Sequence, residues 1–230
     1  MQGPSAASTS ALELFPSLSR IGFVRHGFVG RIPGIDVATD RASALKRLDA
    51  NHRTLRAELD LAQASLATAE QVHGDRIAVV DKPPRSDHEF AGADALVTSQ
   101  SGVSLGIYVA DCCAVFLVDP IRRVIGLAHS GRKGTELNIV RRTIETMRDR
   151  FGTRPAELIV QLSPCIRPPH YEVDFAAEIV RQARAAGVVG VHDCGVCTAC
   201  DLSRYYSYRA EKARTGRMLA LLALNDGLSH

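Results

Sequence analysis

Long apolar runs are missing from this sequence. No stretch approaches the roughly 18–20 residues that a bilayer-spanning helix needs, so no membrane partner is expected. Low-complexity tracts, internal repeats and linkers are missing too, which sets aside fibrous, solenoid and disordered classes. An excess of one charge is absent: 28 basic against 25 acidic residues leave +3, too little to point to nucleic acid. Lysine is scarce, only Lys46, Lys82, Lys133 and Lys212, so most positive charge is arginine. Its forked guanidinium suits carboxylates and phosphates, or simply a solvated surface. Residues 1–20 lack a basic start followed by an apolar stretch, so no secretory leader is read there and a cytoplasmic location is expected. In that compartment the six cysteines are expected as thiols. None of the eight histidines forms a His-x-His pair, which argues against a multicopper centre.

What is present is a chain of 230 residues, 46% hydrophobic, enough for one sizeable core. Ile21 to Val24 reads as a short strand ending in the glycine-punctuated loop "RHGFVGR". From a cap at Asp40, Ala42, Leu45, Leu48, Leu55 and Leu59 fall on one helical face. "ASLATA", "RIAVVD", "DALVTS", "VSLGIYVADCCAVFLVD" and "RVIGLAH" read as strands, and "KPPRSDHEFAG" as a loop. Leu137, Val140, Ile144, Met147 and Phe151 form the clearest helical pattern, with Gly152 placed to end it. "ELIVQLSP" returns to a strand, a helix runs from Asp174 to Gly187, and "RYYSYRAEKAR" is expected to be a further helix. "RMLALLAL" closes the chain as a strand or an apolar helix. These elements predict a mixed α/β (α+β) fold, its sheets flanked by helices. Residues 1–19 are expected to be a flexible segment and 20–230 a single catalytic domain.

Two clusters carry possible chemistry. "HDCGVCTAC" holds His192, Cys194, Cys197 and Cys200, either four soft ligands for structural zinc or small buried residues in a turn. A sparser set is His73 in "EQVHG", Cys112 in "VADCC" and His129 in "LAHSG". Two imidazoles and a thiolate form a recognised zinc set with an open fourth position, although such residues at strand ends are also ordinary packed side chains. Cys113 adjoins Cys112, and alternation along a strand lets only one of them face a site. Asp111 could orient a histidine or move a proton, or could simply bond backbone at a strand end. Arg132 and Lys133, at a helix entry, suit an anion such as phosphate.

The segments "RHGFVG", "NHRTL", "EQVHG", "ADALVT", "GIYVADCCAVFLVDP", "IGLAHSGRKGT", "LSPCIRPPHYEVD" and "CTAC…YYSYR…TGRM", in this order, resemble the YfiH-like or laccase-domain family. The resemblance implies a YfiH-like fold and a zinc-dependent purine nucleoside phosphorylase, acting on nucleosides such as adenosine, inosine, guanosine or methylthioadenosine, with adenosine deaminase activity. It implies a metal, zinc rather than copper, held by His73, Cys112 and His129. Asp111 is a catalytic candidate beside them, and Arg25, Arg132 and Lys133 are candidates for phosphate. Partners are then a purine nucleoside and phosphate. Two alternatives accompany this reading: an editing hydrolase for peptidoglycan precursors within the same family, and a member that binds a nucleoside or a partner without turnover. The sequence departs from the family where "AHSGRKG" puts Arg132 in place of a bulky aromatic, and where the loop after Arg25 is short.

Overall fold

A computed structural model describes residues 11–225. The chain begins with β1 (Leu12–Glu13), α1 (Pro16–Ser19), β2 (Val24–Val29), α2 (Arg41–Glu58), β3 (Ser65–Ala69), β4 (Ile77–Val79) and β5 (His88–Phe90). It continues with β6 (Ala95–Thr98), β7 (Val103–Val109), β8 (Cys113–Asp119), β9 (Val124–Ser130), α3 (Arg132–Glu136) and α4 (Ile139–Phe151). The last elements are β10 (Ile159–Leu162), α5 (Phe175–Ala185), β11 (Gly190–Asp193) and β12 (Met218–Leu224). The strands form two six-stranded mixed sheets, one in the order β1-β2-β12-β7-β3-β5 and the other β11-β10-β8-β9-β6-β4.

Alternation along the central strands builds two cores. Ala114, Phe116 and Val118 of β8 face the first sheet, where they join Phe28, Leu105 and Leu221. Cys113, Val115 and Leu117 face the other way, onto Ile144 and Met147 of α4 and Ile179 of α5. A strand covered on both faces can be apolar throughout, and this one is buried at every position. The same alternation sends Cys113 under the helices while Cys112 packs beside the inter-sheet core.

The expected helices over 41–58 and 175–185 form, with Asp40 and Asp174 accepting from Ser43 N and Ala177 N. The clearest helix starts later than its pattern, at Ile139, because Asn138 is left-handed at φ 60° and separates it from α3. Gly152 ends it at φ 71°. "RMLALLAL" is β12, hydrogen-bonded between β2 and β7.

Five expectations are corrected. "VSLGIYVADCCAVFLVD" is two strands and not one, because residues 110–112 turn the chain from β7 into β8. "RHGFVGR" is not a loop from Arg25 on, because β2 runs through it, paired to β12 over six residues. The loop "KPPRSDHEFAG" contains β5, which extends the first sheet by parallel pairing to β3. "RYYSYRAEKAR" is a series of turns and not a helix. Tyr205, Tyr206 and Ser207 are all fully buried there, which one helical face cannot achieve, and the Tyr205 hydroxyl donates to Glu13 while that of Tyr206 accepts from Ile32 N. Residues 11–19 of the supposed flexible segment are ordered: β1 pairs with β2, and Phe15 and Leu18 are buried. The rest of that segment, 1–10, lies outside the described residues.

No helix among the described residues is long and apolar enough to cross a membrane. All six cysteines are unbridged.

Candidate metal centre

Two connections and a strand meet where the two sheets approach each other. The turn after β3 carries His73, the β7–β8 connection carries Cys112, and β9 carries His129. The ligand atoms of these three side chains all lie within 4.8 Å of one another. Cys112 Sγ is 3.9 Å from His73 Nε2, and the two imidazole centroids are 4.8 Å apart.

Asp94, just before β6, organises this geometry. Its carboxylate accepts the backbone N–H groups of Val72, His73 and Gly74 at 3.2, 2.9 and 2.7 Å. That cradle holds a turn in which both Gln71 and His73 have left-handed backbones, at φ 65° and 60°. The Gln71 side-chain amide pins the same turn to Tyr108, accepting from its N–H at 3.0 Å and donating to its carbonyl at 2.5 Å. Asp94 Oδ1 also lies 2.9 Å from His129 Nδ1. That contact keeps a proton on Nδ1, so that loss of the other proton leaves the Nε2 lone pair for an ion shared with Cys112.

Electrostatics follow from the packing. Burial pushes the Asp94 carboxyl up, but the bonds from His129, Gly74 and His73 hold it below the ordinary range. Burial likewise pushes the Cys112 thiol up, yet the His129 charge and hydrogen bonds to both histidines bring it down to about 6. Burial lowers His129, but the Cys112 charge and Asp94 raise it to about 9. Without an ion the two behave as a coupled thiolate–imidazolium pair. Metal binding needs a thiolate and a neutral imidazole, so the thiolate is prepared and one proton leaves His129. Cys113, in contrast, is pushed far up by burial and by neighbouring Cys165, and stays an inert thiol.

Gly131, after His129, is required by proximity. A Cβ there would stand 2.5 Å from Cys112 Sγ. The donor set, the oriented His129 and the prepared thiolate together fit a divalent ion with three protein ligands. Among the described residues no other group of three or more His, Cys, Asp or Glu side chains converges in this way, and the "HDCGVCTAC" cysteines do not.

The triad opens into a cavity of about 480 Å³ whose walls include Tyr108, Ile166, Tyr171 and Phe175. Asp111 lines it, but its oxygens accept from the Thr198 hydroxyl and from Arg209 N, each at 2.7 Å. Asp94, which the sequence reading gave no role, is the carboxylate that bonds a histidine. Arg132 lines the cavity while pairing with Glu136 at 3.0 Å and Glu172 at 3.8 Å. Lys133 is exposed on α3, outside the lining. Arg25 is also outside it, facing Asp60 at 3.6 Å and the Gly22 carbonyl at 3.4 Å. Sequence reasoning also missed Arg41, Tyr108 and Arg217, all in the lining. Tyr108 stands three residues before Asp111 in "GIYVAD" and Arg217 in "TGRM", so proximity to quoted motifs was the available signal.

The family described as multi-copper polyphenol oxidoreductase laccase matches residues 23–182 and 173–225. A protein named purine nucleoside phosphorylase from Deinococcus radiodurans is 32% identical, over 87% of this chain and 89% of its own. One named purine nucleoside phosphorylase YlmD from Geobacillus stearothermophilus is 29% identical, over 84% and 83%. The crystal structure of the hypothetical protein YfiH from Bacillus licheniformis superposes with a TM-score of 0.81 at 21% identity, covering 95% of this chain and 98% of that one. YlmD from Geobacillus stearothermophilus superposes at 0.74 with 24% identity, covering 92% and 94%.

Proposed function

The chain belongs to the YfiH-like family described as multi-copper polyphenol oxidoreductase laccase, and from that membership and its His–Cys–His cavity we propose a zinc-dependent purine nucleoside phosphorylase that also deaminates adenosine. The observation that carries the reading is the oriented set of His73, Cys112 and His129 at a cavity of nucleoside size. Two imidazoles and one thiolate suit zinc, whereas a multicopper oxidase needs several paired histidine sets. The purine nucleosides and phosphate of the similarly named relatives are the corresponding substrates.

Zinc held there supplies Lewis acidity that lowers the pKa of a water, the chemistry that deamination at purine C6 needs. The remaining roles belong to the chain. Phosphorolysis separates ribose C1′ from the base while positive charge builds on the sugar, so positioning and fixed charges contribute most of the rate. Asp94 fixes the His129 tautomer and the His73 turn. Burial raises the Tyr108 hydroxyl to about 12, so this residue of the cavity lining stays protonated. Ile166, Tyr171 and Phe175 offer apolar and aromatic surface for a flat base. Asp111 ties the Cys112 loop to Thr198 and Arg209 and so holds the thiolate in place.

The test is incubation with adenosine, with and without phosphate, followed by chromatography, alongside elemental analysis. Adenine and ribose 1-phosphate formed only with phosphate, inosine formed without it, and about one zinc per chain are expected. The Cys112→Ala variant should lose most of the metal and most turnover while keeping its fold by circular dichroism. Copper in place of zinc, or full activity in Cys112→Ala, would refute the reading.

A further inference from the structure

Four arginines reach the cavity, and two of them have no carboxylate. Arg132 pairs with Glu136 and Glu172, and Arg209 pairs with Glu172 at 3.2 Å while stacking 4.8 Å from the Tyr171 centroid. Arg41 and Arg217 form no ion pair among the described residues. Arg41 follows the cap Asp40, whose carboxylate is turned instead to Ser43 N and the Thr39 hydroxyl. Arg217 lies 5.8 Å from the Tyr208 ring centroid and is hydrogen-bonded through one nitrogen. Its Nη1 donates to the carbonyls of Thr215 and Gly216 at 3.0 and 2.9 Å, which leaves Nε and Nη2 without a protein acceptor. The two guanidinium groups oppose each other: burial first, and then the charge of Arg41, hold Arg217 below its ordinary range. Tyr208, Cys112 and Asp111 offset this only in part, since neither arginine has a carboxylate within ion-pair distance among the described residues, and an anion placed between the two relieves the repulsion.

We propose that Arg41 and Arg217 form the oxyanion subsite of this cavity and take the phosphate that attacks the nucleoside. The assignment rests on the phosphorylase reading and replaces Arg25 and Lys133, which lie outside the lining. In the step it serves, a phosphate oxygen forms a bond to C1′ as the bond from C1′ to the purine nitrogen breaks. The electron pair of that bond leaves with the base, and the hydrogen lost by phosphate is the one the purine gains. Two arginines suit this role because planar forks hold a tetrahedral dianion in a defined orientation, which a single mobile lysine does not.

Arg41→Gln is the primary variant, since Arg41 makes no hydrogen bond that the fold depends on. Arg217→Lys is the second, keeping a charge that can still reach the Thr215 and Gly216 carbonyls. In phosphorolysis assays, each should raise KM for phosphate about tenfold to hundredfold, as expected for one lost charge-assisted contact, with KM for the nucleoside changed far less. Binding is read separately by thermal shift with inorganic phosphate and with adenosine 5′-monophosphate, which distinguishes free from esterified phosphate. A phosphate-dependent rise in melting temperature that shrinks in both variants supports the subsite even if the wild-type protein shows no phosphorolysis; in that case only the phosphorylase reading fails. A phosphate KM and thermal shift that are the same in wild type and Arg41→Gln would overturn the subsite while leaving the phosphorylase reading intact.

Discussion

At the scale of single residues, Asp94 is fully buried and yet held as a carboxylate, because four donors surround it: three backbone N–H groups and the His129 ring. Asn in its place keeps the shape but loses the charge, and its NH2 group must face donors instead of accepting from them. Asp94→Asn should therefore loosen the His73 turn and free the His129 ring together. Metal affinity is expected to fall about 10–100-fold, the usual cost of losing a partner that orients a metal-binding histidine. Competition titration with a chromophoric chelator measures this, and an affinity within twofold of wild type would show that Asp94 only fills space. Asp94 was invisible to sequence reasoning as anything but one acidic residue among 25, because its role exists only once β6, β9 and the "QVHG" turn are brought together. The triad itself was legible through the order of its motifs and not through spacing. Asp111 stood out by adjacency to Cys112, yet its bonds are to Thr198 and Arg209.

At the scale of elements, strands β6 and β9, the apolar run of β7 and β8 though not its break at 110–112, and helix α4 were legible because burial on both strand faces, or on one helix face, writes itself into the hydrophobic pattern. β5 was not, since the edge strand His88–Phe90 is short and mostly exposed, and the turns over 204–214 were not, since side-chain bonds to distant segments override a helical pattern. The N-terminal β1–α1 unit has a further signature. Phe15 packs edge-on against Phe116 at 5.3 Å, and its backbone N–H donates to His26 Nε2 at 2.8 Å. Burial lowers His26 from 6.5 to about 4. A lowered histidine means that the unfolded chain binds the proton more readily. Its contribution is therefore complete above pH 6.5 and is lost as pH falls from there toward 4. The full effect is on the order of 3 kcal/mol at most. His26→Gln, which keeps an acceptor for Phe15 N–H, should flatten the fall of unfolding free energy between pH 6.5 and 4.5 relative to wild type. Urea unfolding at several pH values checks this, and parallel curves for the two proteins would rule out His26 as the titrating group.

At the scale of the whole molecule, the metal centre joins the two halves of the fold. His73 hangs from the first sheet through β3, His129 belongs to the second through β9, and Cys112 sits in the connection that crosses from β7 to β8. The sheets are otherwise joined there by the Asp94 bonds, by Gln71 N donating to the Ala93 carbonyl at 2.9 Å, and by apolar packing, as in the contact of Phe116 with the first-sheet core. An ion bound by all three ligands adds a cross-link that exists only in the folded chain. Binding to the native state alone stabilises by about 2.7 kcal/mol at a free metal concentration 100 times Kd. For a protein of 230 residues that corresponds to a rise in Tm of roughly 5–10 °C. Chelation of the loaded protein should reverse the rise, and readdition of zinc should restore it. In Cys112→Ala, where one arm of the cross-link is gone, chelator and zinc should change Tm by less than about 2 °C. Equal melting temperatures for loaded and chelated wild-type protein would mean that the three side chains do not clasp an ion across the sheets, whatever their proximity.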